Sequence, residues 1–200
     1  MTTILQINSS ARTNGTANQL TDAFVREWAS QHPGHRIVQR NLTAEPVPHL
    51  GEETINAFFT PAEQRTDAQR EAVRLSDELV AELFAADVIV IGVPMYNFGI
   101  PSTLKAYFDH IARAGTTFRY TSDGAEGLVK GKKAYIVAAR GGVYSGTPAD
   151  TQTEYLKTFL GFIGIEEITF IYAEGLNLGD EAKARGEAQA QTCIRELASA

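Results

Sequence analysis

The sequence predicts an α/β protein with a parallel β-sheet covered by helices on both faces. Three observations carry that expectation. Short β-branched runs alternate with amphipathic stretches of helical period along the chain, five of each. The run "DVIVIGV" (87–93) is apolar without a break, as a central strand buried on both sides must be. Three loops rich in Gly, hydroxyls, amides and aromatics each follow a strand, so a parallel sheet would deliver all of them to one edge.

In chain order, "TILQIN" (3–8) reads as a buried first strand, followed by the polar loop "SSARTNGT". A helix over 16–30 carries Leu20, Phe24 and Trp28 on one stripe, and "HPGH" ends it. "RIVQRNL" (36–42) is the second strand. A helix over 67–85 spaces Ala72, Leu75, Leu79 and Leu83 for one face, and the central strand 87–93 follows. The helix over 102–112 presents Leu104, Tyr107, Phe108 and Ile111. "KKAYIVAAR" (132–140) is the fourth strand, a helix spans 152–162, "EEITFIY" (166–172) is the fifth strand, and a helix over 180–198 closes the chain. Residues 1–200 read as a single domain with two insertions, about 43–66 and 113–131. Segments of that length are commonly lids or binding loops.

Composition narrows the function. A 200-residue chain with 44% apolar and 21% charged residues is an ordinary soluble globular protein. A net charge of −6 argues against a nucleic-acid or anionic-membrane binder. The start "MTTILQINSSAR" has no basic segment leading into an apolar one, and no apolar stretch approaches the roughly 20 residues of a membrane span. The lone Cys193 fits a reducing compartment, so a cytoplasmic protein is expected; with Ile194 and Leu197 it falls on the apolar stripe of the last helix, where packing is its expected role. Other chemistries lack their residues. No G-x-G-x-x-G follows the first strand and no G-x-S-x-G is present. "GLVKGKK" (127–133) precedes a strand and lacks the terminal hydroxyl of a phosphate loop. His32, His35, His49 and His110 have no Cys or carboxylates at ligand spacing, so no metal site is expected.

In open parallel sheets ligands sit beyond the carboxyl ends of the strands, where the strand order reverses. The loops after strands 1, 3 and 4 are "SSARTNGT", "PMYNFGIP" and "RGGVYSGTP". The first reads either as a turn with Thr16 as helix N-cap or as an anion cradle of helix-start N–H groups and hydroxyls, with Arg12 nearby. The third is either a plain Gly-rich turn or a place where backbone N–H groups approach a flat ligand closely. The second is the most telling. Tyr96 and Phe98 in a hinge have no packing reason to be there unless something covers them.

"PMYNFGIPSTLKAYFDHIARAGTTFRYT", "RGG", "TFLGFIGI" and "SSARTNGTANQL" closely resemble the FMN-dependent NADH:azo/quinone reductases, the azoreductase family of flavodoxin-like proteins, and the likeness runs nearly end to end. The resemblance implies a flavodoxin-like three-layer sandwich with a five-stranded parallel sheet in the order 2-1-3-4-5. It also implies a homodimer, bound FMN, and reduction of quinones and azo compounds by NADH or NADPH. Position by position, Ser10, Gly15, Thr16 and Ala17 would surround the FMN phosphate, with Arg12 beside them. Pro94, Met95, Tyr96, Asn97 and Phe98 would line the isoalloxazine, and Ala139, Arg140, Gly141 and Gly142 would meet its other edge, with Tyr144 in the same loop. Phe98, Tyr120 and Phe162 would form the substrate pocket, the loop of Phe118 and Tyr120 walling the pocket of a second subunit. Relatives often carry hydroxyls where this chain has Gly15, Ala17 and Ala139, which leaves more to backbone amides and to Thr16 and implies looser FMN binding. No catalytic residue is implied, because the flavin carries the chemistry. Gly141 and Gly142 N–H groups would stabilise negative charge on the reduced ring. Two alternatives stand beside this reading: a flavodoxin-like single-electron carrier, for which −6 is a modest docking charge, and a quinone reductase without significant azo activity.

Overall fold

The computed structural model describes residues 1–199. In chain order the elements are β1 (Thr3–Asn8), α1 (Thr16–Gln31), β2 (Arg36–Asn41), α2 (Glu52–Phe59), α3 (Asp67–Ala85), β3 (Val88–Pro94), α4 (Ser102–Ile111), β4 (Phe118–Thr121), β5 (Gly124–Gly127), β6 (Lys133–Ala139), α5 (Thr153–Ile163), β7 (Glu167–Ala173) and α6 (Asp180–Ala198). One sheet runs β2-β1-β3-β6-β7, all parallel, which is 2-1-3-4-5 in its own strands. Its register decides where the loops leave. Pro94 lies opposite Ala139, and Ala139 opposite Ala173, so the chain exits β3, β6 and β7 at one level.

The strand alternation builds two apolar cores. Ile4, Val88, Val90, Val137 and Ile171 face one way and pack with Leu20 and Phe24 of α1 and Ile194 of α6. Leu5, Ile7, Ile89, Ile91 and Ile136 face the other way and pack with Leu79 of α3, Phe108 of α4 and Leu160 of α5. Cys193 is half-buried against the α1–α6 core, and burial pushes its thiol up, away from the reactive thiolate.

The two insertions are more ordered than a loop reading implies. Segment 43–66 contains α2 and a 3-10 turn over Ala62–Gln64. Val47 and Ala57 are buried, and the Arg113 guanidinium stands 4.2 Å over the Phe58 ring, which meets His110 edge-on. His110 Nε2 donates to the Pro48 carbonyl at 3.0 Å. Those contacts, with α2 packed on α3, place α2 and the stretch before it at the far end of α4, while the start of the segment, Thr43, reaches the first strand-edge loop. Segment 113–131 is an antiparallel hairpin, β4–β5. Phe118 is buried against Phe162, ring centroids 4.3 Å apart, while Tyr120 is 76% exposed. Phe118 therefore packs on its own chain, and Tyr120 is the aromatic of this hairpin that is offered outward. Gly127 makes this docking possible, since a Cβ there would stand 2.1 Å from the backbone nitrogen of Gly164. Among the described residues no helix is long and apolar enough to cross a membrane.

Candidate active site at the carboxyl edge of the sheet

The first loop ends in a helix start without a side-chain cap. The N-cap of α1 is Gly15, not Thr16; it contributes no side chain, and the first turn holds no acidic residue. Four N–H groups begin every helix without an intrahelical partner, and an uncapped start of this kind favours an anion. The loop before it is rigidly held. Ser10 N donates to Asn18 Oδ1 at 3.3 Å, Thr43 Oγ1 donates to the Ser10 carbonyl at 2.8 Å, and Arg12 N donates to Ser10 Oγ at 3.2 Å. A Cβ at Gly15 would stand 2.2 Å from Ser10 Oγ, so the Ser10 hydroxyl fills the space of the side chain that position 15 lacks.

The second loop is a strained turn. Tyr96 N and Gly99 N donate to each other's carbonyls at 3.0 and 2.9 Å, with Asn97 at φ 49° and Phe98 at φ 64° between them. Two positive φ values define the mirror-image hairpin turn that normally asks for Asn-Gly. Asn97 satisfies that demand; Phe98 does not, because a bulky residue is an outlier there. The turn thus presents a ring 55% exposed, edge-on to Tyr144 at 5.7 Å. The Tyr96 side chain points elsewhere. Its hydroxyl accepts from Ala11 N at 3.2 Å and lies 3.3 Å from Ser10 Oγ, so it joins the hinge to the first loop.

The third loop is held by a neighbour that sequence reasoning did not consider. Leu176 N donates to the Arg140 carbonyl at 3.1 Å and Asn177 N to the Gly141 carbonyl at 2.9 Å, so the loop after β7 continues the pairing beyond the strands. Among the described residues Gly141 N and Gly142 N donate to no protein acceptor. The Arg140 side chain turns inward, fully buried, to Asp150 at 2.8 Å and Glu174 at 3.1 Å. It offers the site its backbone and not its charge.

Two adjoining cavities result. One of about 230 Å³ is lined by Met95, Asn97, Phe98, Gly141, Tyr144 and Asn177. The other, about 110 Å³, is lined at one end by Ser10, Arg12, Gly15, Thr16, Ala17 and Tyr96, and backed by Pro94, Ala139 and Leu176. Met95, Gly141 and Asn177 belong to both, so the two form one elongated slot. Neither is lined by Asp or Glu. Most residues expected from sequence meet here. Arg140 and Gly142 do not line the slot; a Cβ at Gly142 would strike the Tyr144 ring at 2.7 Å. Tyr120 and Phe162 are also absent from it. α5 starts beside the slot at Thr153, and at ~1.5 Å per residue Phe162 lies more than two turns away. Leu176 and Asn177 were missed although a signal existed, because the loop after the fifth strand leaves from the same edge as the others.

The flavodoxin-like fold family matches residues 2–197. The FMN-dependent NADH:quinone oxidoreductase 6 of Burkholderia lata is 57% identical over 195 residues, covering 97% of this chain and 98% of that protein. The chain belongs to the flavodoxin-like azoreductase family. The family's solved structures agree with the fold. An azoreductase from Bacillus anthracis superposes with a TM-score of 0.91 at 30% identity, covering 100% of this chain and 99% of that one. An FMN-dependent NADH-azoreductase from the same species, in complex with FMN, superposes with a TM-score of 0.87 at 26% identity, covering 99% and 100%. The residues of the present slot fit such a group. An uncapped helix start beside Arg12 suits a phosphate, and the carboxylate-free cavity between Phe98 and Gly141 suits a flat ring.

Proposed function

We propose that this chain is a cytoplasmic, homodimeric FMN-dependent reductase, a three-layer flavodoxin-like sandwich that carries two electrons from NADH or NADPH to quinones and azo compounds. The slot is the observation that supports it: one elongated cavity without carboxylates, with an uncapped helix start at one end and a strained aromatic turn at the other. Bound FMN supplies the two-electron chemistry. The chain's residues bind and orient. Ser10, Thr16, the N–H groups of Thr16 and Ala17, and Arg12 would hold the phosphate. Met95, Asn97 and Phe98 would wall one side of the ring and Gly141 the other, with Tyr144 closing the end. The unused N–H group of Gly141, which lines the slot, is suited to stabilise negative charge, a preorganised arrangement that favours paired-electron transfer. One slot serving donor and acceptor in turn requires the oxidised nicotinamide to leave first.

The purified protein should be yellow and release FMN, not FAD, on denaturation. Steady-state kinetics with both nicotinamides against a quinone and an azo dye should give parallel double-reciprocal lines. A colourless protein that takes up no added FMN would overturn the proposal, and intersecting lines would remove the shared slot. A single-electron carrier would instead oxidise NADH slowly and need a separate reductase.

Phe98 provides a second test. Left-handed backbone costs a bulky residue about 1–2 kcal/mol, and Gly gives back about 0.5–1 kcal/mol through its freer unfolded state. Phe98→Gly should therefore leave the melting temperature unchanged or raised while lowering kcat/KM for the acceptor. A variant that melts lower and works normally would show that the ring serves folding.

The outward Tyr120 supports the dimer, together with Phe59, 77% exposed on α2. Tyr120→Ala should change acceptor KM or kcat with FMN content intact. Mixing it with a subunit unable to bind FMN places the sole flavin opposite an intact Tyr120. Activity should then recover; a fully active monomer would rule the shared site out.

A further inference from the structure

We propose that Gln152 is a positioning residue that couples the two walls of the slot. It touches neither cavity, is 1% exposed, and uses both ends of its carboxamide. Nε2 donates to the Pro94 carbonyl at 3.1 Å and to the Gly99 carbonyl at 2.9 Å, gripping the strained turn at its two feet. Oε1 accepts from Arg140 Nε at 3.2 Å. Arg140 carries the connection onward to Glu174 at 3.1 Å, and Glu174 Oε1 accepts from Tyr144 N and Ser145 N, each at 2.9 Å. A continuous chain of polar contacts, buried at Gln152 and Arg140 and reaching the surface at Ser145, thus runs from the turn bearing Asn97 and Phe98 to the loop bearing Tyr144. Its neighbour Thr151 adds a bond from Oγ1 to the Phe98 carbonyl.

The arrangement has a physical purpose. Asn97 and Phe98 sit at positive φ, and a strained backbone persists only where its surroundings over-determine it. Met95 N donates to the Ala139 carbonyl at 2.9 Å and ties the near foot of the turn to β6, but the turn's own two hydrogen bonds do not fix how its far side, Phe98 and Gly99, stands relative to β6. Gln152 does so with a fixed spacer between the hinge carbonyls and the Arg140 guanidinium. The width of the slot between Phe98 and Gly141 is therefore set from behind, by a group that never meets the ligand. The inference deepens the FMN reading and rests on it for the ligand, but the coupling itself is a property of the chain.

The test separates the two. Amide hydrogen exchange is measured without flavin on Gln152→Leu, Gln152→Glu and Glu174→Gln. Gln152→Leu should speed exchange at least tenfold at Tyr96 and Gly99, and also at Tyr144 and Ser145, which it does not touch. Exchange in β1 should not change. Gln152→Glu keeps the acceptor for Arg140 and loses the donor, so it should loosen Tyr96 and Gly99 and spare Tyr144 and Ser145; if the Leu variant does not fold, Glu174→Gln tests the coupling, and unchanged exchange there at Tyr96 and Gly99 overturns it. By reciprocity of coupling, Glu174→Gln should loosen Tyr96 and Gly99. Unchanged exchange at Tyr144 and Ser145 in Gln152→Leu overturns the proposal. In the second arm FMN and riboflavin are titrated into wild type and Gln152→Glu. Both dissociation constants should rise by the same factor, at least tenfold, because the phosphate end is untouched. A loss confined to FMN would place the damage at the phosphate end and overturn the role in slot width. Wild type failing to bind either flavin would sink the FMN reading and leave the exchange result standing.

Discussion

Arg140→Met is expected to lower the unfolding free energy by about 3 kcal/mol, because it removes one member of a buried ion-pair network and strands the others. The guanidinium is fully buried between Asp150 and Glu174, whose side chains are 7% and 13% exposed, and stands 4.9 Å from the Tyr172 ring. Replacing the whole network by apolar groups could be neutral; removing the cation alone leaves two carboxylates facing each other across its volume. Each retains local bonds. Asp150 keeps Thr153 N at 3.1 Å and Thr153 Oγ1 at 2.7 Å, and Glu174 keeps Tyr144 N and Ser145 N. That retention sets the estimate at the low end of the range for broken buried pairs. At about 2–4 °C per kcal/mol for a chain of this size, the melting temperature should fall by roughly 6–12 °C. A fall under 2 °C would show that the network contributes little.

Acid should act on the same network. Burial by itself would raise the Asp150 carboxyl, but the bonds from Arg140 and Thr153 outweigh it and hold the group below its usual range. A depressed carboxyl stabilises the fold above its unfolded value of about 3.9 and loses that contribution as pH falls through the folded value. Wild type should thus lose stability below about pH 4, and Arg140→Met should show a shallower loss over the same interval.

The parts of this molecule that the sequence revealed are those whose cause is local. The five sheet strands and their helices are legible because burial on both faces forces unbroken apolar runs and burial on one face forces a helical stripe. β3 illustrates it, with every residue of Val88–Pro94 buried. The β4–β5 hairpin was not recognised, because its strands are four residues each and mostly exposed, and the Gly that lets β5 dock leaves no apolar pattern. The polar Ser122-Asp123 turn followed by Gly124 was the available signal. Phe118 read as a loop tip since its partner, Phe162, is distant in sequence. Arg140 illustrates the same limit at the site. Its place beside two glycines suggests a ligand contact, but Glu174 lies 34 residues away and a separation of that kind leaves no spacing to read. Loop composition reveals which backbone reaches the slot. Where a long polar side chain turns is decided by tertiary partners.

Gly141→Val is expected to weaken FMN binding at least 100-fold, equivalent to about 2.8 kcal/mol, while the apoprotein folds normally. Gly141 is not among the residues at positive φ, so its backbone accepts a side chain and the obstacle is space. A Cβ there would stand 2.5 Å from Asn177 Nδ2 and 3.1 Å from Asn177 Cγ. The Asn177 main chain cannot retreat, since its N–H is bonded to the Gly141 carbonyl at 2.9 Å. Its amide can swing, but Asn177 lines both cavities, so the amide and the two valine methyls compete with the ligand for one slot. Two mechanisms then remain: displacement of Asn177 into the slot, or loss of close approach to the Gly141 N–H. Gly141→Ala separates them when paired with Asn177→Ser. If the clash is responsible, the shortened side chain should restore most of the affinity lost by Gly141→Ala alone. If the backbone N–H must touch the ring, the double variant should bind as poorly as the single one. Unchanged affinity in Gly141→Val would remove Gly141 from the site, and the third loop with it.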